Sequence, residues 1–278
     1  QWQAAAAAEC ASASRAGVSA SDRRAAQHLG TLASGSYCLP EVAPASGYCN
    51  MDPTLPPSRG RACTALVVLP HNQSYAIPPG HVPADRFVVD TLAQLLGTAQ
   101  SVLDLGAGVG QVGHALLARG QFHYRGCDGA GNIQAATRGF LTFCDLTKPL
   151  SLPRAHWVLS LETGEHIPSG DGEMMYIRNL HAHNCYGIIL SWATLYQPGH
   201  QHVNNHHRSY VNKTFQALGY RQDEQLVRKL RTGVLGKAGE GPILPYLRRS
   251  LQAFRRWVPI EGCVAEASTS HQTPISAS

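Results

Sequence analysis

The apolar positions change period along the chain. Up to about residue 64 they follow none: an Ala-rich start gives way to Pro, Gly and Ser in "CLPEVAPASGYCNMDPTLPPSRG", which disfavours long elements. From about Asp85 the spacing becomes helical. "ADRFVVDTLAQLLG" places Phe87, Val88, Thr91, Leu92, Leu95 and Leu96 at helical spacing and closes at Gly97. Short apolar runs and helical patterns then alternate. "SVLDLG" predicts a strand followed by a helix through "QVGHALLARG". "FHYRGCD" and "FLTFCDL" predict the next two strands. "HWVLSLE" predicts a fourth, with a helix over "GEMMYIRNLHAH", and "YGIILSW" a fifth, followed by a polar loop and the helix "RSYVNKTFQALGY". "YRQDEQLVRKLR" and "LRRSLQAFRRWV" read as two strands returning as a hairpin. Such alternation predicts a mostly parallel sheet with helices on both faces. The organisation expected is a Cys/Pro-rich arm and lid over residues 1–84, an α/β domain over 85–258 and a small-residue, disordered tail over 259–278. There is no internal repeat.

Composition narrows the class. The chain has 278 residues, 44% hydrophobic and 15% charged, which suits a packed α/β domain with an extension. It begins at Gln1, which reads as a mature or trimmed product. No apolar run approaches the roughly 20 residues that span a bilayer. The net charge is +5, but only "YLRRSLQAFRRW" clusters basic residues, at Arg248, Arg249, Arg255 and Arg256. A nucleic-acid surface needs a basic stripe interleaved with stacking aromatics, so nucleic acid is not an expected partner. The eight cysteines form no C-x-x-C pair, which argues against a zinc ribbon or a thioredoxin-like motif. Cys10, Cys38, Cys49 and Cys63 crowd the N-terminal quarter, and Asn72-Gln-Ser74 and Asn212-Lys-Thr214 are sequons. Disulfides and glycans would both suit a secretory lumen such as the Golgi; buried thiols and chance tripeptides in the cytoplasm are the alternative.

The stretch "SVLDLGAGVGQVG" carries the first chemistry. Gly108, Gly110 and Gly113 match the G-x-G-x-x-G dinucleotide fingerprint, yet Asp104 stands at the strand's end. A carboxylate there repels a pyrophosphate and favours a ligand bearing an ammonium and a sulfonium. Asp128 ends the second strand, about 20 residues beyond the glycines, where an acid binds ribose hydroxyls. Asp145, in "FCDL", ends the third, where a carboxylate can accept from an adenine amino group.

Together "VLDLGAGVGQVG", "CDG", "CDL" and "WVLSLETGEHI" resemble the class I S-adenosylmethionine (SAM)-dependent methyltransferases over roughly residues 85–257. The resemblance implies a Rossmann-like, seven-stranded, mostly parallel sheet and SAM as cofactor. It implies cofactor contacts from Asp104, Gly106, Ala107, Gly108, Gln111, Asp128, Gly129, Asp145, Leu146 and Glu162. The segments "NLHAHNCYGIILSWA" and "GHQHVNNH" are similar to a eukaryotic group of methyltransferases.

A second cluster follows the fourth strand. In "SLETGEHIP" Glu162, Glu165 and His166 share one face if the chain turns helically. The exit loop of the fifth strand, "ATLYQPGHQHVNNHH", brings His200, His202, His206 and His207 toward the same rim. Glu162, Glu165, His166, His200 and His202 are a candidate ligand set for Mg, Mn, Fe or Zn. The pattern E-x-x-E-H with a later His resembles the small-RNA 3′-terminal 2′-O-methyltransferases, and a related one occurs in ubiquinone-pathway O-methyltransferases. In the former these positions hold a metal that grips a vicinal diol. A metal would acidify and orient a hydroxyl. Without one, Glu165, His166 or His202 can act as general base, and a purely structural role is the third option. The expected reaction is O-methylation, first of a sugar or glycan. N- or O-methylation of a protein or small metabolite, an NAD-dependent oxidoreductase and a non-catalytic SAM-binding module are the alternatives. Tyr75, His81 and Trp192 are candidates for the acceptor pocket, and His181 and His183 for structural roles.

Overall fold

A computed structural model describes residues 66–69, 73–76, 84–97, 100–120, 122–129, 133–198, 202–232 and 244–260. Strands β1 (Leu66–Leu69) and β2 (Gln73–Ala76) pair as an antiparallel two-stranded unit, inside the segment expected to form the arm and lid. Helix α1 (Arg86–Leu96) starts where Asp85 accepts a hydrogen bond from Val88 N–H at 3.2 Å and ends at Gly97, φ +70°. The central strand β3 (Ser101–Leu105) leads through helix α2 (Gln111–Leu117) to β4 (His123–Asp128), helix α3 (Ile133–Ala136) and β5 (Thr142–Phe143). Strand β6 (Ala155–Leu161) is followed by helix α4 (Asp171–Ala182), β7 (Asn184–Ser191) and helix α5 (Arg208–Ala217).

The C-terminal part departs from the predicted pair of strands. "YRQDEQLVRKLR" is strand only over β8 (Tyr220–Gln222); helix α6 (Glu224–Thr232) takes the rest. The reason is a cap: Asp223 accepts from Leu226 N–H at 2.9 Å, and Leu226, Val227 and Leu230 then bury one helical face. Likewise "LRRS" forms helix α7 (Leu247–Ser250) before β9 (Leu251–Arg256).

Seven strands form one sheet in the order β5-β4-β3-β6-β7-β9-β8, with β9 antiparallel to both neighbours and the others parallel. This is the mostly parallel arrangement expected. Alternation along the strands supplies two cores. Leu103, Leu105, Val158, Ile188 and Leu190 pack against Tyr176 and Leu180 of α4 and Phe215 of α5. Val102, Trp157, Leu159 and Ile189 pack on the other face against Val88 and Leu92 of α1 and Leu226 and Leu230 of α6. The chain order reverses between β3 and β6, so their exit loops open into one crevice at the carboxyl ends of the strands. Among the described residues no helix is long and apolar enough to cross a membrane.

Candidate active site

The loop after β3 has little freedom. Gly106, Gly108 and Gly110 have φ of +84°, +60° and +84°, a region that L side chains avoid. A Cβ on Gly106 would lie 2.4 Å from the Thr163 side chain, so the loops after β3 and β6 touch here. Gly106 and Ala107 donate their N–H groups to the Cys127 carbonyl at 3.0 Å. Gln111 folds back over the loop, its Oε1 accepting from Val109 N–H at 3.1 Å. Gly113 faces the Tyr124 ring, where a Cβ would sit 2.2 Å from it.

Beneath the loop Asp104 is 3% exposed and accepts a hydrogen bond from Tyr124 O–H at 2.9 Å. Gly126, paired with Asp104 across the sheet, leaves room for that phenol: a Cβ there would be 2.7 Å from the Tyr124 oxygen. Burial pushes the Asp104 carboxyl up to about 7, with the Asp128 charge adding and the Tyr124 hydrogen bond opposing. Asp128 accepts from Gly108 N–H at 2.9 Å, which ties the second acid to the glycine loop. Gly129 follows it in the chain, just past the end of β4. Asp145 lies two residues past β5 and is oriented by Thr147, whose N–H and O–H both donate to its Oδ1, at 2.9 and 2.6 Å. Leu146 packs in the core, its carbonyl held by Asn179.

Past β6 the chain enters a tight left-handed position at Glu162, φ +51°, with its N–H on Ser191 Oγ at 2.7 Å. A single 3-10 turn, Gly164–His166, follows. Glu162 accepts from Gln197 at 2.9 Å and Ser250 at 3.1 Å. Glu165 is 0% exposed, and among the described residues neither carboxylate oxygen has a hydrogen-bond partner. Burial, then the neighbouring Glu162 charge, raises its pKa well above the ordinary carboxylate value, and nearby backbone amides offset only part of this. His202 Nε2 approaches Glu165 Oε1 at 3.9 Å. Its Nδ1 lies 3.2 Å from the Gln197 carbonyl. A carbonyl can only accept, so Nδ1 carries the proton and Nε2 of the neutral ring is bare. Burial keeps that ring's pKa below the ordinary value. His166 sets its ring edge-on to His202, with centroids 5.1 Å apart. One ligand atom from each of Glu165, His166 and His202 falls within 4.8 Å of the others.

The loop bearing His202 is clamped to the same turn. Val203 and Asn204 N–H donate to the Glu165 carbonyl at 2.9 and 3.0 Å, and Asn205 Nδ2 donates to the Thr194 and Gln197 carbonyls. Of the five expected metal ligands, three converge. Glu162 stands beside them with its oxygens on Gln197 and Ser250, and His200 lies outside the described residues, as does His81. His206 turns away to Glu173 Oε1, 3.0 Å distant, and stacks on Tyr210, while His207 caps α5. Trp192 is 2% exposed, donates to the Asn204 carbonyl and fills the space over Gly164, so it packs the site from behind rather than lining an acceptor pocket. Of Tyr75 only the backbone is described. His183 bridges Asn179 and Leu152 and His181 packs on Tyr220, both structural.

Tyr124, Thr163, Gln197 and Ser250 were not legible as site residues. Each acts across the sheet or between loops, at sequence separations that no local motif encodes.

No protein-family model and no curated protein sequence matches the chain. Among solved structures it is similar to magnesium protoporphyrin IX methyltransferase from Synechocystis PCC 6803 with bound SAH: 16% identity, 62% of this chain and 83% of that one, TM-score 0.45. It is also similar to an amino pentose methyltransferase from Micromonospora echinaspora involved in calicheamicin biosynthesis, with SAM bound, at 14% identity over 61% of this chain and 88% of that one, TM-score 0.44. A third is an O-methyltransferase family protein from Burkholderia thailandensis, at 14% identity over 62% of this chain and 56% of that one, TM-score 0.44. The chain's own strand order, with the antiparallel β9 next to one edge of an otherwise parallel sheet, is a Rossmann-like arrangement.

Proposed function

We propose that the chain transfers the methyl group of SAM to a hydroxyl, first that of a sugar or glycan, with a divalent cation held by Glu165, His166 and His202. The observation that carries this is the buried Glu165 carboxylate, unpartnered among the described residues, facing an unprotonated imidazole nitrogen beside the glycine loop. An unpaired buried carboxylate is costly and calls for a cation or a proton. One carboxylate and two imidazoles are a donor set for Zn, Mn or Fe. Such a cation, when bound, lowers the pKa of a hydroxyl and orients it.

The rest is assigned to the chain's own side chains. Asp128 suits ribose hydroxyls and Asp145 the adenine amino group, as at the equivalent strand ends of other α/β nucleotide sites. The glycines admit the methionine part to the backbone, and Asp104 places negative charge under its ammonium. NAD fits less well. Its pyrophosphate would meet Asp104, and the antiparallel β9 departs from the 3-2-1-4-5-6 order of dinucleotide folds. A metal-free version keeps the same geometry, with His202 Nε2 accepting the hydroxyl's proton.

Calorimetry with S-adenosylhomocysteine tests the donor, with NAD as the control. Labelled SAM and a panel of saccharides test the acceptor. Treatment with EDTA followed by Mg, Mn or Zn tests the cation: turnover unchanged by chelation overturns it and leaves His202 as base. The Cys127–Cys144 disulfide supports a lumenal setting, as does Cys185, which is also disulfide-bonded. Asn212 lies within α5 with its Oδ1 buried, so Asn72 is the sequon expected to carry a glycan. Bare Asn72 on protein from its native host would count against the lumen.

A further inference from the structure

Three parts of the donor site meet at Cys127. Its carbonyl receives the N–H groups of Gly106 and Ala107, which fixes the start of the glycine loop. Its sulfur is bonded to Cys144, 17 residues on. The next residue after each cysteine is an acid assigned to the donor, Asp128 after Cys127 and Asp145 after Cys144. Backbone contacts make the same connection: Asp128 pairs with Phe143, and Cys144 N–H donates to the Asp128 carbonyl at 3.0 Å. Those contacts are few. Strand β5 has two residues and sits at the sheet edge, where pairing is weakest and a strand frays most easily. Both cysteines are buried, at 0% and 5% exposure, within the core that includes Leu105, Leu146 and Tyr176. A covalent tie therefore does what a longer edge strand would otherwise do.

We propose that the Cys127–Cys144 disulfide is a positioning element for the nucleoside end of the donor, holding the Asp128 and Asp145 carboxylates at a fixed separation. The inference rests on the SAM reading above. It assigns the bond no part in the chemistry of methyl transfer. Breaking it frees β5 and the Asp145 turn from β4 while leaving Asp104, Gly106 and the Glu165 turn in place.

Two preparations test this. One is the double variant C127A/C144A. The other is wild type treated with a water-soluble phosphine under mild denaturant and then returned to buffer. The phosphine takes one oxygen from water and becomes its oxide; each S–S bond reduced takes two electrons and two protons and becomes two thiols, located by alkylation and peptide mapping so that reduction of Cys127–Cys144 is scored apart from reduction at Cys185. S-adenosylhomocysteine binding is measured by calorimetry well below each preparation's Tm. Binding is expected to weaken roughly ten- to hundredfold, the scale for loss of preorganisation around a ligand, with stoichiometry still near one. Adenosine alone should lose the same factor. A bond that only stabilised the fold would lower the stoichiometry at unchanged Kd, and that result, or unchanged binding in whichever preparation folds, overturns the proposal. Failure of the disulfide-intact protein to bind S-adenosylhomocysteine at all overturns the SAM reading, and this inference with it.

Discussion

Asp104 shows what burial does to one side chain. Its carboxyl is pushed up to about 7 by burial, against an ordinary value near 3.8. Between those two values the folded chain keeps a proton that the unfolded chain has released, so stability falls as pH rises through this window and levels off above it. Asp104→Asn keeps an acceptor for Tyr124 O–H and removes the titration. The variant is expected to melt above wild type at pH 8, with the difference shrinking toward pH 4.5; a difference independent of pH would overturn the assignment. Glu165 is shifted in the same direction but is common to both proteins and cancels. The same acid gives a binding prediction. If the donor's ammonium sits over Asp104, SAM binding near pH 6.5 displaces its proton. The apparent binding enthalpy should then depend on the buffer's ionisation enthalpy in wild type and not in the Asn variant.

Elements are held by contacts that a single methyl can break. Gly187 of β7 pairs with Arg255 of β9, and a Cβ there would lie 2.1 Å from the Phe254 carbonyl oxygen and 2.6 Å from the Trp157 ring. Backbone cannot yield as a side-chain tip can. Gly187→Ala is expected to cost about 3 kcal/mol, a fall in Tm of roughly 6–12 °C for a domain of this size. Asp223→Ala should cost about 1–2 kcal/mol by removing the cap of α6. That cap also explains where the sequence pattern misled. "YRQDEQLVRKLR" begins as a strand, and the acid that starts the helix lies three residues in, too close to the strand for periodicity to separate the two. Helix α1 was legible because its apolar spacing is long and its ends are marked by Asp85 and Gly97.

At the scale of the molecule, the site exists because the chain reverses direction across the sheet between β3 and β6. If Glu165, His166 and His202 hold a cation, saturating Zn or Mn at a hundred times its Kd should stabilise the fold by about 2.7 kcal/mol. Glu165→Gln should abolish that gain and the metal-dependent turnover. It should also raise the stability of the metal-free protein above the ordinary carboxylate range, because folding no longer has to take up a proton at a buried carboxyl group. Equal stabilisation of both proteins by metal would overturn the ligand set. By itself the sequence determined the alternation that makes the sheet, the glycine loop with its acid, the acids at the next two strand ends and the Glu-x-x-Glu-His turn. These are local spacings, fixed by neighbours within a few residues. Only the tertiary structure decided that Tyr124 reaches Asp104, that Gln197 and Ser250 draw Glu162 aside, and that Cys127 meets Cys144. Those choices depend on strand register and loop packing between distant segments, which no short stretch of chain encodes.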